Sequence, residues 1–233
     1  MALAGWKRLV QTCTWAAVVV LALHGSVDAA TVSFSYTGPP VAIPDGLDLS
    51  GTSPGAQVGA VIAVAGISQP IASVTISIDG TVCSNTAGST TVGIDHTFVS
   101  DLVITLQSPG GTNVVVINNT DGSGNNFCQV VLDDASAGPS IQTALTAQAP
   151  FTGSWQPNAP LSAFAGEVAN GNWTLLAQDF FSQDTGSIRA WTINITAAEV
   201  VAIPTLSEWG TILLCGLMAL IGFARLQRRG PVG

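Results

Sequence analysis

Residues 74–78 read Val-Thr-Ile-Ser-Ile, an alternation of apolar and polar side chains that recurs at 102–106, 173–177 and 191–196. Alternating runs place their apolar side chains on one face of a β-strand, so these segments are predicted to be strands of a sheet with one buried face. No stretch between residues 31 and 202 shows a convincing helical period. The sequence therefore predicts an all-β body, built as a sandwich.

Turn-forming residues separate the predicted strands. Each of the following segments supplies a residue that tolerates a positive φ: Asp79-Gly80, Ser108–Gly111, Asp121–Gly124, Asn170-Gly171 and Thr185-Gly186. Two further segments complete the body. The continuous apolar run Val114–Ile117 predicts a central strand, and Thr146–Phe164, rich in Ala, Pro and Gln, predicts a loop packed over the sandwich.

Residues 1–30 have the layout of a secretory signal peptide. Lys7 and Arg8 precede the apolar run Trp15–Leu23, and small residues follow it. We expect the mature chain to begin near Ala30. An uncleaved membrane anchor is the alternative, although the apolar run is about half the length that a bilayer span needs.

Residues 203–233 are predicted to be a tail that contains a short transmembrane helix. The stretch Trp209–Ala224 is almost entirely apolar, and three arginines follow it: Arg225, Arg228 and Arg229. By the positive-inside rule these anchor charges stay cytoplasmic, which places the body outside the cytoplasm. A buried core helix is the alternative, and the terminal arginine cluster argues against it.

The charge of the body limits its partners. Residues 31–202 contain twelve Asp and Glu residues and one basic residue, Arg189, for a net charge of −11. A protein that grips phosphates needs Lys and Arg to displace counterions, so no nucleic acid is expected as a partner. The acidity favours solubility and divalent cations instead.

The cysteines indicate one disulfide. Cys13 lies in the leader and Cys215 in the predicted helix, which leaves Cys83 and Cys128 in the exported body. An oxidising compartment favours a disulfide between these two, and two free thiols are the alternative.

The tail resembles the bacterial IPTL-CTERM sorting signal. The residues that carry the resemblance form a continuous motif that precedes the apolar run: Ile203, Pro204, Thr205, Leu206, Ser207, Glu208 and Trp209. The resemblance implies a bacterial cell envelope or surface and a membrane-embedded, transpeptidase-like enzyme that processes the tail. Whether the tail is cleaved or remains as the anchor stays open.

The body, residues 31–202, resembles the P domain (P/Homo B) that follows the subtilisin-like catalytic domain in proprotein convertases. Five motifs carry the resemblance in order: Ile43–Gly46, His96–Leu106, Ser108–Thr112, Gly171–Leu175 and Asp179–Trp191. It implies a jelly-roll-like β-sandwich that stabilises a neighbouring protease domain. One departure is the long approach Gly80–Asp95, interpreted as an extended loop that a bond to Cys128 would hold in place.

The sequence of the body does not supply a complete set of catalytic residues. His96 is the only histidine outside the leader, and its place at the start of a strand favours a structural role. The segment Gly51–Gly55 matches G-x-S-x-G, but Pro54 lacks the N–H that the residue after the nucleophile should donate to the oxyanion. No spacing selects a carboxylate pair for glycoside hydrolysis. No catalytic residue is therefore assigned.

Calcium is the one cofactor expected, because bacterial P domains often bind it through acidic loops at the sandwich ends. The resemblance points to the following candidate ligands: Asp101, Asp133, Asp134, Asp179 and Asp184. Solvated surface acids are the alternative interpretation of the same residues.

The sequence thus predicts an exported, envelope-associated, non-catalytic module that binds or stabilises a partner such as a subtilisin-like serine endopeptidase. A calcium-bridged structural or adhesive surface protein is one alternative, with a matrix component as the partner. A serine-type endopeptidase is the other. Peptide release that depends on His96 would favour the endopeptidase, and calcium-dependent self-association would favour the structural protein.

Overall fold

The computed structural model describes residues 29–199 and a C-terminal helix over residues 206–227. The body, Ala29–Ala198, is one compact unit, and the helix belongs to a second unit. The predicted signal peptide lies outside the described residues, apart from its last two positions.

Twelve β-strands make up the described part of the body. They are β1 (Thr31–Ser35), β2 (Val41–Ile43), β3 (Val58–Val64), β4 (Ile71–Ile78), β5 (Ile94–His96), β6 (Leu102–Gln107), β7 (Asn113–Asn118), β8 (Phe127–Leu132), β9 (Phe151–Trp155), β10 (Gly171–Asp179), β11 (Gly186–Ile188) and β12 (Trp191–Ala197). Single 3-10 turns connect some of them, at Val99–Asp101, Ile141–Thr143, Thr146–Gln148 and Leu161–Phe164.

The strands form two sheets. The larger sheet has the order β1-β12-β4-β8-β5-β11-β2, with β9 added parallel to β8, and the smaller sheet has the order β3-β10-β6-β7. The all-β sandwich is confirmed. The jelly-roll-like connectivity stays a prediction.

The alternating pattern puts apolar side chains between the two sheets. On β4, Val74, Ile76 and Ile78 are buried, whereas Thr75 and Ser77 are only half-buried. Trp173 on β10 is fully buried and meets the ring of Phe164 edge-on, with the centroids 5.0 Å apart. A single hydrophobic core therefore spans both sheets.

Two predictions about individual segments are wrong. The run Val114–Ile117 lies in β7, which is an edge strand of the smaller sheet and not a central one. Its buried apolar side chains belong to the core, and a loop covers its outer backbone edge, with the backbone N–H of Asn158 donating to Val116 O at 2.8 Å. The segment Thr146–Phe164 is not only a loop, because it contains β9, which pairs with β8.

The predicted disulfide between Cys83 and Cys128 is confirmed, with the two Cα atoms 5.5 Å apart. The loop that carries Cys83 has further support from Asn126, whose side-chain amide donates to the backbone oxygens of Ser84 and Thr86 at 2.8 and 3.0 Å. This long excursion is therefore fixed at its base by covalent and polar contacts.

The C-terminal helix α1 spans Leu206–Gln227, with Arg225 in its last turn. Within the part of the chain that the structure describes, no helix combines the length and the apolar character needed to cross a bilayer, so the predicted transmembrane helix is not confirmed. Of the sorting motif and the anchor charges, the following lie outside the described residues: Ile203, Pro204, Thr205, Arg228 and Arg229.

Candidate functional site

A buried histidine and a buried carboxylate connect the two sheets at one end of the sandwich. His96, the last residue of β5, and Asp179, the last residue of β10, are both fully buried. His96 Nε2 lies 3.1 Å from Asp179 Oδ2, and the Phe98 backbone N–H points at Nδ1 from 3.2 Å. Asp179 Oδ1 accepts the backbone N–H of Phe181 at 3.1 Å. This pair joins the end of β5 in the larger sheet to the end of β10 in the smaller sheet.

An open cleft of about 500 Å³ lies beside this pair. We call it the acidic cleft, and its walls include Leu49, Phe98, Asp101, Asn119, Phe181 and Asp184. Asp184 Oδ1 accepts a hydrogen bond from the Thr97 hydroxyl at 2.6 Å. The cleft thus combines apolar side chains with carboxylates.

Asp101 is the most perturbed acid of the acidic cleft. Only 6% of the residue is exposed. Burial raises the pKa of Asp101 to about 6, and repulsion from Asp179 and Asp184 acts in the same direction. His96 and a hydrogen bond from Ser100 oppose the shift. Asp101 therefore changes charge close to neutral pH.

Asp45 fastens the loop that carries Asp184. Its carboxylate accepts the backbone N–H of Gln183 at 3.1 Å and that of Asp184 at 3.3 Å. The neighbouring Gly46 lies so close to this loop that a Cβ there would sit 2.5 Å from the backbone of Phe181. The motif Ile43–Gly46 is therefore needed to shape one wall of the cleft.

Asp48 holds a second loop at the same end. Its carboxylate accepts hydrogen bonds from the side chains and backbone N–H groups of Thr52 and Ser50. The bond from the Thr52 hydroxyl is the main reason that the pKa of Asp48 lies well below its ordinary value. The loop presents Leu47 and Leu49 to solvent, 77% and 67% exposed. Two large apolar side chains thus stand out at this end of the sandwich.

The five predicted calcium ligands do not form one group. Asp101, Asp179 and Asp184 lie near the acidic cleft. Asp133 instead accepts the backbone N–H of Ala135 at 2.8 Å, and both oxygens of Asp134 accept backbone N–H groups at the start of the 3-10 turn Leu161–Phe164, at 2.8 Å each. Within the described residues, no three or more His, Cys, Asp or Glu side chains are arranged to hold a metal ion.

The G-x-S-x-G segment is a loop beside the end of β10, where the N–H of Gly55 donates to Asp179 O at 2.8 Å. His96 is the only histidine of the exported body, and its ring is buried with both nitrogens engaged. The described geometry therefore gives Ser53 no histidine base.

A second cleft lies at the opposite end of β10. We call it the Glu167 cleft; its volume is about 540 Å³ and its walls are Pro109, Gly110, Gly166, Glu167, Val168 and Asn170. Glu167 Oε1 accepts a short hydrogen bond from the Thr112 hydroxyl, while Oε2 is buried with no hydrogen-bond partner. Glu167 is not among the site residues predicted from the sequence, and no local pattern marks it.

Asp45 and Asp48 were also missed as site residues, although a signal for each is present. Asp48 is followed by Ser50 and Thr52, a spacing that lets a carboxylate accept hydrogen bonds from its own loop. Asp45 lies within a family motif, but its partners Gln183 and Asp184 are remote in sequence. Only the tertiary structure identifies such a contact.

The fold and the site together define an acidic β-sandwich module with a sorting tail. Residues 88–195 match the family model of the proprotein convertase P-domain, and residues 201–229 match that of the IPTL-CTERM motif. Both resemblances drawn from the sequence are confirmed. The tail motif indicates an exported protein that is associated with the cell envelope.

Several relatives are similar over part of their length. A calcium-dependent protease of Nostoc sp. is 28% identical over 107 residues, which cover 45% of this chain and 13% of that protein. Leupeptin-inactivating enzyme 1 of Streptomyces exfoliatus is 28% identical over 180 residues, which cover 74% of this chain and 32% of that protein. The crystal structure of a serine protease of Aeromonas sobria matches 78% of this chain and 29% of its own, at 16% identity and a TM-score of 0.37.

The chain spans about a third or less of the length of these relatives. The P-domain match and the names of the relatives found by sequence give the chain a protease-associated context.

Proposed function

We propose that the body is a non-catalytic module that binds a separately made serine endopeptidase at the bacterial envelope, and that the acidic cleft is its docking surface. The burial and the hydrogen bonds of His96 support this proposal most directly. Its ring is fully buried and both ring nitrogens are engaged, so it joins strand ends beside the cleft and does not face a substrate.

The surface around the acidic cleft has the character of a docking site. Leu47, Leu49 and Phe98 are exposed apolar side chains, and Asp101 and Asp184 provide negative charge beside them. Exposed apolar side chains close together mark interaction sites, and charges around them select partners of opposite sign. The matching surface on the endopeptidase is apolar with flanking Lys or Arg.

The tail supports the location. The IPTL-CTERM match covers residues 201–229, and Arg225 closes helix α1. In this proposal, residues 1–30 direct export, the tail keeps the body at the membrane at least transiently, and a membrane enzyme processes the tail. Mass spectrometry of protein extracted from the cell surface distinguishes a cleaved tail from a retained one.

Binding is tested by immobilising the full chain and measuring its affinity for a subtilisin-like endopeptidase from the same bacterium that lacks a P domain. Leu49→Glu should weaken binding at least tenfold, because it adds a charge to the apolar part of the docking surface. Val168→Glu is the matched control, since Val168 is 70% exposed but lies in the Glu167 cleft. Equal affinity of the two variants, or no binding by the unmodified chain, contradicts the proposal.

A calcium-bridged structural or adhesive protein is the second candidate. The names of the calcium-dependent proteases and the two carboxylates that line the acidic cleft, Asp101 and Asp184, favour it. The fit is incomplete, because the described residues contain no metal-binding group of three or more side chains. Self-association that requires calcium and is lost in Asp184→Asn would select this candidate.

The endopeptidase alternative is tested with the purified chain alone. Hydrolysis of peptide substrates that disappears in Ser53→Ala would overturn the non-catalytic proposal. We expect no hydrolysis above that of a buffer blank.

A further inference from the structure

Five strands form the edges of the two sheets, β1, β2 and β9 in the larger sheet and β3 and β7 in the smaller one, and they differ in how they are protected. β9 has an irregular register against β8 and contains Gly153 at a positive φ. An unprotected edge presents unpaired N–H and C=O groups, and proteins usually blunt such edges with charge, proline, bulges or covering loops. β2 has only three residues and stands between Pro40 and Pro44, and β7 is covered through Asn158 and Ala159. In the described part of the chain, β1 and β3 have no charged residue, no proline and no covering loop.

Of these two unprotected edges, β1 has the features that favour pairing with another strand. Thr31–Ser35 contains no charged residue and no proline, and its pairing with β12 is regular over all five residues. Its side chains are mostly exposed, and Val32 is 40% exposed. No described strand pairs with the outer side of β1.

Hydrogen bonds to β12 fix which backbone groups of β1 point outward. The N–H of Tyr36 donates to Trp191 O at 2.9 Å, and the N–H of Ala197 donates to Ala30 O at 3.2 Å. In an antiparallel ladder, every second residue directs both of its backbone groups to the same neighbour. The residues that therefore direct N–H and C=O to the free edge are Thr31, Ser33 and Ser35.

The charge distribution indicates which partner could approach this edge. Residues 31–202 carry a net charge of −11, so two copies of the body repel each other over most of their surfaces. β1, β12 and β4 contain no charged residue at all. Hydroxyl and amide side chains cover the outer face instead, with Thr31, Ser33 and Ser35 bonded to Thr196, Asn194 and Thr192.

We infer that β1 pairs antiparallel with β1 of a second copy of this chain, about a two-fold axis near Ser33, so that the larger sheet continues across the dimer. The free N–H and C=O groups provide the hydrogen bonds. The absence of charge on the three strands nearest the axis removes the repulsion that the rest of the body would impose. This inference does not depend on the docking surface proposed above.

Ser33→Pro tests the pairing in the full chain, by light scattering over a concentration series. Proline removes the outward N–H of Ser33 but no hydrogen bond to β12, and edge strands tolerate proline at such positions. We expect the unmodified chain and Ser33→Ala to dimerise, and Ser33→Pro to raise the dimer dissociation constant at least tenfold. Thermal unfolding of Ser33→Pro checks that the sandwich itself survives. A monomeric unmodified chain, or a Ser33→Pro chain that dimerises equally well, overturns the inference.

Cysteine cross-linking tests the register and can trap a weakly associated dimer. In a hydrogen-bonded antiparallel pair the Cα atoms lie about 5.5 Å apart, within reach of a disulfide. Ser33→Cys should therefore cross-link to its own copy, whereas Ser35→Cys should face Thr31 of the partner and remain unlinked under the same oxidation. Cross-linking of Ser35→Cys with itself, or of neither variant, contradicts the two-fold pairing.

Discussion

The two ends of β10 carry clefts of nearly equal volume, about 500 Å³ at the acidic cleft and about 540 Å³ at the Glu167 cleft. Behind the acidic cleft stands a fully buried pair, His96 and Asp179, whose polar atoms are engaged. At the other end, Glu167 bonds Thr112 with one oxygen and leaves the second buried without a partner. Clefts of equal size thus differ in the polar network that supports them.

This difference indicates which end of the sandwich is better suited to bind a partner. At the acidic cleft, Asp45 holds a loop in place through two hydrogen bonds and Asp48 holds another through four. Satisfied polar networks fix one arrangement of the loops that they connect. A fixed surface loses less entropy when it binds a partner, so the acidic cleft is the better docking surface.

The largest expected effect is at the buried pair. Asp179→Ala should lower the free energy of unfolding by about 3 kcal/mol, because it leaves the buried ring of His96 and the half-buried N–H of Phe181 without their acceptor. Urea unfolding of the full chain measures the loss, and Asp179→Asn should recover part of it. At the other end, Glu167→Ala should cost less than about 1 kcal/mol. Equal losses of stability in Asp179→Ala and Glu167→Ala would mean that the two ends are equally well supported.

Much of the fold could be predicted from the sequence because local pattern determines it. Val74–Ile78 and Trp191–Thr196 alternate with period two, and both are strands with their apolar side chains in the core. The Cys83–Cys128 bond followed from elimination and compartment. β7 could not be placed, because a continuous apolar run is equally compatible with a central strand and with a covered edge. β9 could not be found, because Phe151–Trp155 has three small polar or Gly residues between its two aromatic ones and gives no strand pattern.

The site was harder to predict, because its contacts join residues remote in sequence. Asp179 meets His96 across 83 positions, and Asp45 meets Asp184 across 139. Predicting all five acids as ligands did not separate those near the cleft from Asp133 and Asp134, which accept backbone N–H groups elsewhere. A carboxylate that orders a loop and one that lines a cleft have the same sequence signature.

A smaller effect, on the pH dependence of stability, is expected at Asp101 in the acidic cleft. The pKa of Asp101 is raised to about 6 from 3.8, so the folded state holds this proton more tightly than the unfolded state does. Its contribution to stability is therefore favourable at low pH and is lost as the pH rises from about 4 to above 6. Asp101→Asn should be more stable than the unmodified chain at pH 7.5 by about 1 kcal/mol, a value reduced for screening by water in the open cleft.

Thermal unfolding of both chains from pH 4 to pH 8 measures this contribution. The melting temperatures should coincide near pH 4 and separate by a few degrees at pH 7.5, with Asp101→Asn the higher. Asp184→Asn is the control, because it removes a neighbouring carboxylate and should shift the transition of Asp101 to lower pH. A constant difference at all pH values would mean that Asp101 does not titrate in this range.

The smallest effect is expected at the Glu167 cleft. Glu167→Gln keeps the oxygen that accepts the Thr112 hydroxyl and replaces the unpartnered, buried oxygen with an amide nitrogen. Burying an unpaired charged oxygen costs free energy, so the neutral side chain should be equal in stability or better by up to about 0.5 kcal/mol. Urea unfolding near neutral pH measures the difference, with Thr112→Val as the control that removes the one bond present. A loss above about 1 kcal/mol in Glu167→Gln would mean that Oε2 has a cationic partner in solution, and the Glu167 cleft would then be as fully supported as the acidic one.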